Sequence, residues 1–314
     1  MSLPSTPISI KPSATEIQNG ALSQQNLEIA TRALRRDGLV VLEDLIQHST
    51  LDKLNKKMVE DTYELRSRKD SPFNYHKGNI QQDPLLTKEY FFEEVFTNPI
   101  VTQVTSTTLG PKSSLRFISG NTALPPTKEA PPASQPTHND ADFDHPGIPF
   151  ALVINVPLIA VEEQNGSTEV WLGTHANTTI ADQEGAHGDR ASGRIKKHLL
   201  DERRKIRAPS QPTVSKGSVI VRELRLWHGG KPNLSDEPRV MLAFIHFAPW
   251  YRNQMTVEFA EDLKDQLTLE KTGLHVAAEY VTSEEVEKNY LNRPYGNAYD
   301  FDQVDKINDL FPDL

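Results

Sequence analysis

Three side chains of this sequence could together bind one metal ion. The tripeptide His138-Asn139-Asp140 places an imidazole and a carboxylate two residues apart. Residues i and i+2 of a β-strand point to the same face, so both side chains could reach one ion. His228, which precedes two glycines, is the best candidate for a third ligand. Two histidines and one carboxylate, with further positions open on the metal, are typical of non-haem Fe(II) oxygenases.

Arg239 is the next residue that indicates chemistry. It begins a β-rich segment that ends at Phe247, so its guanidinium could lie inside a β core. A guanidinium in such a place is costly unless it is paired with an anion, and a carboxylate of a small diacid would form two parallel hydrogen bonds with it. An internal Asp or Glu would also satisfy the charge, as would an exposed start of the strand. The sequence leaves these alternatives open.

The composition limits both the site and the partners. The chain has 314 residues, no cysteine, 34 basic and 43 acidic residues and a net charge of −9. Without cysteine, any metal must be bound by His, Asp, Glu or main-chain oxygen. The acidic balance argues against nucleic-acid binding, which needs a basic surface.

The longest mostly apolar stretch is well short of the roughly 20 residues that span a membrane, and the N-terminus lacks the apolar segment of a secretory signal. We therefore expect a soluble cytoplasmic protein.

The ends of the chain differ from its middle. Residues 1–22 are rich in Ser, Thr and Pro and predict a disordered arm, residues 23–250 predict one domain, and residues 251–314 predict a helical C-terminal extension. Apolar residues at helical spacing predict helices over Ser23–Asp37, over His48–Arg68 with Ser49 or Thr50 as the N-cap, over two short segments between Tyr90 and Leu109 that break near Asn98-Pro99, and over the basic segment from Ala186 to Lys205.

Short β-rich segments between turn signals fill the middle of the chain. Their spacing is typical of a sandwich or barrel, and the order of helices, strands and helices predicts an α+β protein with helices on one side of a barrel. Within the last strand, alternation places Met241, Ala243, Ile245 and Phe247 inside and His246 outside. The predicted strands are Leu39–Leu42, Leu115–Ile118, Phe150–Leu158, Thr168–Leu172, Ser218–Leu224 and Arg239–Phe247.

Several motifs in order resemble the phytanoyl-CoA dioxygenase (PhyH) family, and above all its fungal members in secondary metabolism. The resemblance covers roughly residues 25–250 and implies a double-stranded β-helix barrel of the jelly-roll or cupin-like kind with flanking helices. The motifs are Gly78-Asn79-Ile80-Gln81-Gln82-Asp83-Pro84, Gln135, His138-Asn139-Asp140, Asn165-Gly166-Ser167-Thr168, Gly173-Thr174-His175, Arg222 to Gly229, Asn233 and Arg239.

The resemblance also implies roles for individual residues. His138, Asp140 and His228 would bind Fe(II), and Arg239 would bind the distal carboxylate of the cosubstrate 2-oxoglutarate. Gln135 matches a position that contacts this cosubstrate, and Asn79 and Thr168 are weaker matches to the same pocket. With O₂, such an enzyme would oxidise an unactivated C–H bond of a small metabolite by hydroxylation, desaturation or oxidative cyclisation, as in natural-product biosynthesis. Gly230 departs from the family, which has a hydroxyl there, so the second partner of the diacid is open.

Other readings of the sequence remain open. The substrate could be a free amino acid, whose carboxylate would need Arg116 or Arg222, although surface salt bridges are the simpler role for both. A non-oxidative cupin-like metal protein and an inactive scaffold would use the same barrel. A structural role is the simpler one for His145 and His175. A homodimer is also open, since the C-terminal extension could form a contact between copies.

Overall fold

The computed structural model describes residues 4–185, 193–293 and 300–303. Within these residues the chain forms 14 β-strands, which we number along the sequence. They are β1 (Ile8–Ile10), β2 (Leu39–Leu42), β3 (Asn79–Gln82), β4 (Ser114–Ala123), β5 (Ala151–Pro157), β6 (Thr168–Val170), β7 (Gln183–Glu184), β8 (Arg194–Ile195), β9 (Val219–Glu223), β10 (His228–Gly230), β11 (Arg239–Phe247), β12 (Val257–Ala260), β13 (His275–Val276) and β14 (Ala278–Val281).

Eight α-helices lie in the same described part of the chain. They are α1 (Ala14–Asn19), α2 (Gln24–Asp37), α3 (His48–Ser67), α4 (Glu93–Phe96), α5 (Pro99–Leu109), α6 (Lys197–Ile206), α7 (Leu269–Thr272) and α8 (Ser283–Asn289). None of the helices in the described ranges is long and apolar enough to cross a membrane.

A large sheet forms the body of the protein. Its strands follow the order β1-β2-β9-β5-β11-β4-β13, and β3 also pairs with β4. Helix α2 packs on β2, α3 on β3 and β11, and α5 on β5 and β9. The apolar core lies between these helices and the sheet, and it includes Leu54, Val104, Leu152 and Phe244. Burial of such side chains is the main stabilising contribution to the fold.

A second, smaller sheet carries part of the candidate site. Strands β6 and β10 pair antiparallel, and His138 forms β-bridges both to His228 on β10 and to Arg194 on β8. Strand β8 also pairs with β7. Side chains of both sheets line one cavity, with Val41 of β2 on one side and Val170 of β6 on the other. The predicted architecture of strands in a barrel-like arrangement with flanking helices is therefore observed.

The N-terminal segment is ordered from residue 4 onward, so the prediction of a disordered arm is wrong there. Strand β1 pairs parallel with β2, and Ser13 and Glu16 form a reciprocal capping box at the start of α1. Ile10 and Leu22 are buried in the main core. The Ser- and Pro-rich composition concealed two apolar anchors, and these anchors bury enough surface to hold a short segment against the sheet.

The prediction of a purely helical C-terminal extension is also wrong. Strand β13 joins the main sheet beside β4, and β12 pairs parallel with β14. Val257 and Phe259 are buried on one face of β12, which is the alternation expected of a strand. Residues 251–293 therefore extend the sheet in addition to forming short helices.

Two smaller predictions need correction and one is confirmed. In the basic segment 186–205, the described residues form β8 and the helix α6, while residues 186–192 lie outside the described part. Helix α3 begins at His48 after Gln47, without a side-chain cap from Ser49 or Thr50. The break at Asn98-Pro99 is confirmed, because the Asn98 side chain accepts hydrogen bonds from the amides of Ile100 and Val101 and so caps α5.

A buried ion pair ties the N-terminal segment to the second half of the chain. Asp37, at the end of α2, accepts a hydrogen bond of 2.7 Å from Nη1 of Arg207, and Nε of Arg207 donates to the carbonyl of Pro4. Asp37 and Arg207 are almost fully buried. We expect Asp37→Ala to lower the free energy of unfolding by about 3–5 kcal/mol, because Arg207 is left as an unpaired buried charge. Urea unfolding measures this change.

The matched control lies on the same helix. Glu28 and Arg32 form an exposed ion pair of 2.6 Å on α2. Exposed pairs contribute little, so Glu28→Ala should change the free energy of unfolding by less than about 1 kcal/mol. Equal effects of Asp37→Ala and Glu28→Ala would contradict a stabilising role of the buried pair.

Candidate active site

Backbone pairing places the first two candidate ligands side by side. The amide of His138 donates to the carbonyl of His228 at 2.8 Å, and the amide of His228 donates to the carbonyl of His138 at 2.9 Å. A closely hydrogen-bonded pair of this kind projects both side chains to the same face of the sheet. The two imidazole centroids are 4.4 Å apart. Asp140 follows two residues later, in a bend of the chain and not in the strand that the spacing predicted.

The donor atoms of the three side chains converge. Nε2 of His138 and Nε2 of His228 each lie 3.7 Å from Oδ1 of Asp140, and one ligand atom from each residue lies within 4.8 Å of the others. Nδ1 of His138 donates to the carbonyl of Pro136, and Nδ1 of His228 donates to that of Leu226. These hydrogen bonds place the proton on Nδ1, so the lone pair of each Nε2 faces Asp140.

The protonation states of the three residues suit metal binding. Burial lowers the pKa of His228 to about 3, and the charge of Arg222 adds to this effect. Burial also lowers the pKa of His138. Burial alone would raise the pKa of Asp140, but Arg222 and the two imidazoles hold it well below its ordinary value. At neutral pH the site therefore offers two neutral imidazoles and one carboxylate, which is the form that metal ligands require.

Arg239 is a buried cation without an acidic partner among the described residues. Its side chain is almost fully buried; Nη1 donates to Oδ1 of Asn121 and Nη2 to the carbonyl of Gly166, while Nε has no hydrogen-bond partner. Burial lowers the pKa of Arg239 to about 10, so it stays charged at neutral pH. An internal acid and an exposed strand start were the two alternatives to an external anion, and neither is observed.

Arg239 lines a small cavity, and the other predicted cosubstrate residues lie around it. Asn79, Gln135, Thr168 and Arg239 all line it. Oε1 of Gln135 accepts a hydrogen bond of 2.8 Å from the amide of Gly230. A Cβ atom at position 230 would lie 2.7 Å from that oxygen, so glycine there makes room for the carboxamide of Gln135. The roles of these residues in binding stay predictions.

A larger cavity extends from the candidate ligands between the two sheets. It contains about 1070 Å³ of space between protein atoms, part of it continuous with solvent, and it shares Asn121, Gln135 and Thr168 with the cavity around Arg239. Eleven of its 24 lining residues are polar or charged, and thirteen are apolar. The apolar ones include Leu39, Val41, Phe117, Val153, Val161, Val170, Val214, Ile220, Met241, Ala243, Ile245 and Phe301.

The faces of β11 follow the predicted alternation up to Ile245. His246 points away from the cavity, as predicted, and its Nδ1 lies 3.0 Å from the hydroxyl of Thr105. The register between β11 and β4 shifts after Ile245. Phe247, which was predicted to face the interior, stacks on Tyr251 instead of lining the cavity.

A sequence profile decides the family. The profile of the phytanoyl-CoA dioxygenase (PhyH) family matches residues 34–241, which is more than half of the chain. The chain belongs to the phytanoyl-CoA dioxygenase family. The matched range holds all seven predicted site residues of this PhyH protein, from Asn79 to Arg239.

Solved structures similar to this PhyH protein share its fold. The non-heme alpha ketoglutarate dependent epimerase SnoN from nogalamycin biosynthesis is 15% identical, with a TM-score of 0.52 over 72% of this chain and 83% of SnoN. EctD from S. alaskensis with bound Fe is 18% identical, with a TM-score of 0.54 over 74% of this chain and 79% of EctD. The structure of EctD with 2-oxoglutarate and 5-hydroxyectoine is 17% identical, with a TM-score of 0.55 over 83% of this chain and 89% of EctD. The predicted double-stranded β-helix fold is thereby confirmed.

Three residues near the site were missed or misjudged from the sequence. Arg222 was expected on the surface, but it is buried and its Nη2 donates to Oδ2 of Asp140. The ring of Tyr75 lies 4.9 Å from that of His138, on a backbone with a φ of 64°. Phe301 reaches the large cavity from the C-terminal segment. An arginine directly after the apolar residues Val219–Val221 of β9 was a readable signal for Arg222, whereas no spacing pattern pointed to the other two.

The remaining histidines of the PhyH chain stay outside the candidate metal site. Among the described residues, only His138, Asp140 and His228 bring three metal-ligating side chains together. His145 lies in the loop before Pro146, and its Nδ1 is 3.1 Å from the carbonyl of that proline. The ring of His175 is packed closely over Gly38, since a Cβ atom there would lie 2.5 Å from Nδ1. Both observations support the structural roles proposed for them.

Burial of His246 makes the stability of this PhyH protein depend on pH. Burial lowers the pKa of His246 to about 3, below its ordinary value of 6.5. The unfolded chain therefore binds this proton first, and the free energy of unfolding falls as the pH drops from about 6.5 toward 3. Between pH 7 and pH 4.5 in metal-free protein, we expect the free energy of unfolding of His246→Gln to fall by about 1–3 kcal/mol less than that of the wild type.

Urea unfolding at the two pH values measures this difference. His198→Gln, at an exposed position on α6, is the control and should keep the wild-type pH dependence. An unchanged pH dependence in His246→Gln would show that this histidine does not destabilise the folded state in acid.

Proposed function

We propose that this protein is a non-haem Fe(II)- and 2-oxoglutarate-dependent oxygenase that oxidises an unactivated C–H bond of a small metabolite. The observation that carries the proposal is Arg239, a buried guanidinium without an acidic partner among the described residues, in a cavity that adjoins the two-histidine, one-carboxylate set. A buried charge of this kind is stable only when an anion reaches it. The dicarboxylate 2-oxoglutarate supplies such an anion.

The donor set supports iron. Two imidazole nitrogens and one carboxylate oxygen, with further positions open, are the ligand set of non-haem Fe(II) oxygenases. The hydrogen bonds from each Nδ1 to a carbonyl fix both imidazoles and increase their basicity toward a metal. Among proteins of the same fold, SnoN has been solved in complex with Fe3+ and alpha ketoglutarate, and EctD with bound Fe.

The cavity around Arg239 supports the cosubstrate. Its guanidinium can present a planar edge to a carboxylate, and the polar side chains of Asn79 and Thr168 lie around the same space. Gln135 and Asn121 border both this cavity and the larger one, so a small diacid could extend from Arg239 toward His138 and His228. A non-oxidative cupin-like protein or an inactive scaffold gives no reason for an unpaired buried arginine at this place.

The protein residues have three tasks in this chemistry. When bound, Fe(II) and 2-oxoglutarate supply the O₂ activation and the oxidising power that remove hydrogen from an unactivated carbon. His138, His228 and Asp140 would bind the metal, and Arg239 would orient the diacid. The apolar walls of the large cavity exclude water and hold the substrate carbon near the metal.

The large cavity favours a substrate with a largely apolar skeleton. Its apolar lining residues suit a hydrocarbon framework, as in many natural products, and its polar ones suit a few polar groups. Of the two arginines that could have bound a substrate carboxylate, Arg116 does not line the cavity and donates to Ser114 and Met255. Arg222 lines it and donates from Nη2 to Asp140 and from Nε to Asn155, while its Nη1 has no hydrogen-bond partner. A free amino acid would have to place its carboxylate at this one donor.

The diacid site can be tested by its anion-binding arginine. We expect Arg239→Met to weaken 2-oxoglutarate binding by about 2–5 kcal/mol, because the carboxylate then loses its buried partner. Under anaerobic conditions with Fe(II), the weak visible absorption of the metal–diacid chelate measures this affinity. Arg116→Met, an arginine outside the cavity, is the matched control and should bind 2-oxoglutarate like the wild type.

The metal site is tested in the same titration. We expect His138→Ala to lose the chelate absorption because one of the three ligands is missing, while the wild type shows it. His145→Ala removes a nearby histidine outside the triad and should keep the absorption. The proposal fails if the wild type forms no chelate, or if His138→Ala forms it with wild-type affinity.

A further inference from the structure

We propose that Arg222 is a positioning residue that reserves one oxygen of Asp140, so that only the other oxygen is available to the metal. This inference rests on the proposed function, since it concerns how the same site accepts its cosubstrate. It concerns a residue outside the three candidate metal ligands.

Arg222 stands where an apolar side chain would be expected. It lies on β9 opposite Leu39 of β2 and Val153 of β5. Both neighbours are apolar and, like Arg222, line the large cavity. Arg222 is 7% exposed. A buried guanidinium is costly at a position that packing alone would fill with an apolar residue, so its hydrogen bonds indicate its role.

Two hydrogen bonds fix the orientation of the guanidinium. Nη2 of Arg222 donates to Oδ2 of Asp140 at 2.6 Å, and Nε donates to Oδ1 of Asn155 at 3.0 Å. Asn155 is itself held, because its Nδ2 donates to the carbonyl of Leu242 at 3.4 Å. The planar guanidinium is thus supported by β5 and cannot rotate freely away from Asp140.

The two oxygens of Asp140 are used for different purposes. Oδ2 accepts the charge-assisted hydrogen bond from Arg222, whereas Oδ1 lies 3.7 Å from Nε2 of both His138 and His228. Oδ2 is therefore occupied by Arg222, and Oδ1 is the oxygen that contacts the two imidazoles. A charge-assisted bond is about twice as strong as a neutral one. Arg222 therefore holds the carboxylate in the orientation that offers Oδ1 alone.

This division matters for the cosubstrate. Carboxylates bind metal ions through one oxygen or through both, and a carboxylate that used both would occupy a position needed by the diacid or by O₂. The bond to Arg222 also draws negative charge away from Oδ1, so the metal keeps more of its charge for 2-oxoglutarate. We infer that Arg222 supports binding of the diacid more than binding of the metal.

Measurements of two affinities in Arg222→Met test this inference. Anaerobic calorimetry gives the affinity for Fe(II) alone, and the chelate absorption gives the affinity of the Fe(II)-saturated protein for 2-oxoglutarate. We expect Fe(II) to bind as tightly as to the wild type or more tightly, because Oδ2 becomes free to bind it. We expect the affinity for 2-oxoglutarate to fall by about tenfold or more.

Two further variants separate positioning from a general structural role. Arg222→Lys keeps a charged donor for Oδ2 without the bond to Asn155, and it should restore part of the affinity for 2-oxoglutarate. Arg116→Met removes a half-buried arginine on β4 and should leave both affinities unchanged. A parallel fall of Fe(II) affinity and thermal stability in Arg222→Met would overturn the proposal, because that result indicates a structural role.

The outcomes also distinguish this inference from the proposed function. If the wild type forms no chelate with Fe(II) and 2-oxoglutarate, the proposed function fails and the inference with it. If the wild type forms the chelate and Arg222→Met binds 2-oxoglutarate equally well, only the assignment of Arg222 fails.

Discussion

A guanidinium buried in a protein core is stabilised by an anion, and two of the buried arginines of this protein, Arg222 and Arg239, meet this requirement in different ways. Arg222 has an internal anion, Asp140, at 2.6 Å. Arg239 has only a carboxamide and a main-chain carbonyl as partners among the described residues. The first arrangement fixes a candidate metal ligand. The second leaves a charge without an anion among the described residues, and the proposed cosubstrate is the simplest source of that anion.

Backbone hydrogen bonds supply the geometry that these charges use. The reciprocal pair between His138 and His228 joins two distant parts of the sequence and sets both imidazoles on one face. The main sheet then brings Arg222 of β9, Asn155 of β5 and Arg239 of β11 to the opposite wall through its strand order. The candidate site therefore depends on the pairing of two sheets, and no single segment of the chain contains it.

The sequence was informative where a short spacing determines the geometry. The i and i+2 rule identified His138 and Asp140, and the cost of a buried charge identified Arg239. Alternation also placed Met241, Ala243 and Ile245 on the cavity wall, whereas Phe247 packs against Tyr251 and Phe301 and does not line the cavity. Which strands pair cannot be derived from local spacing, so the bond from Arg222 to Asp140 could not be predicted. The same limit hid Phe301, which reaches the cavity from far along the chain.

A crystal structure obtained anaerobically with Fe(II) and 2-oxoglutarate tests the central claim most directly. We expect the metal to be bound by Nε2 of His138 and His228 and by Oδ1 of Asp140, with the distal carboxylate of 2-oxoglutarate on Arg239. A metal bound by other residues, or a diacid that does not contact Arg239, would contradict the claim that the unpaired buried charge is the cosubstrate site.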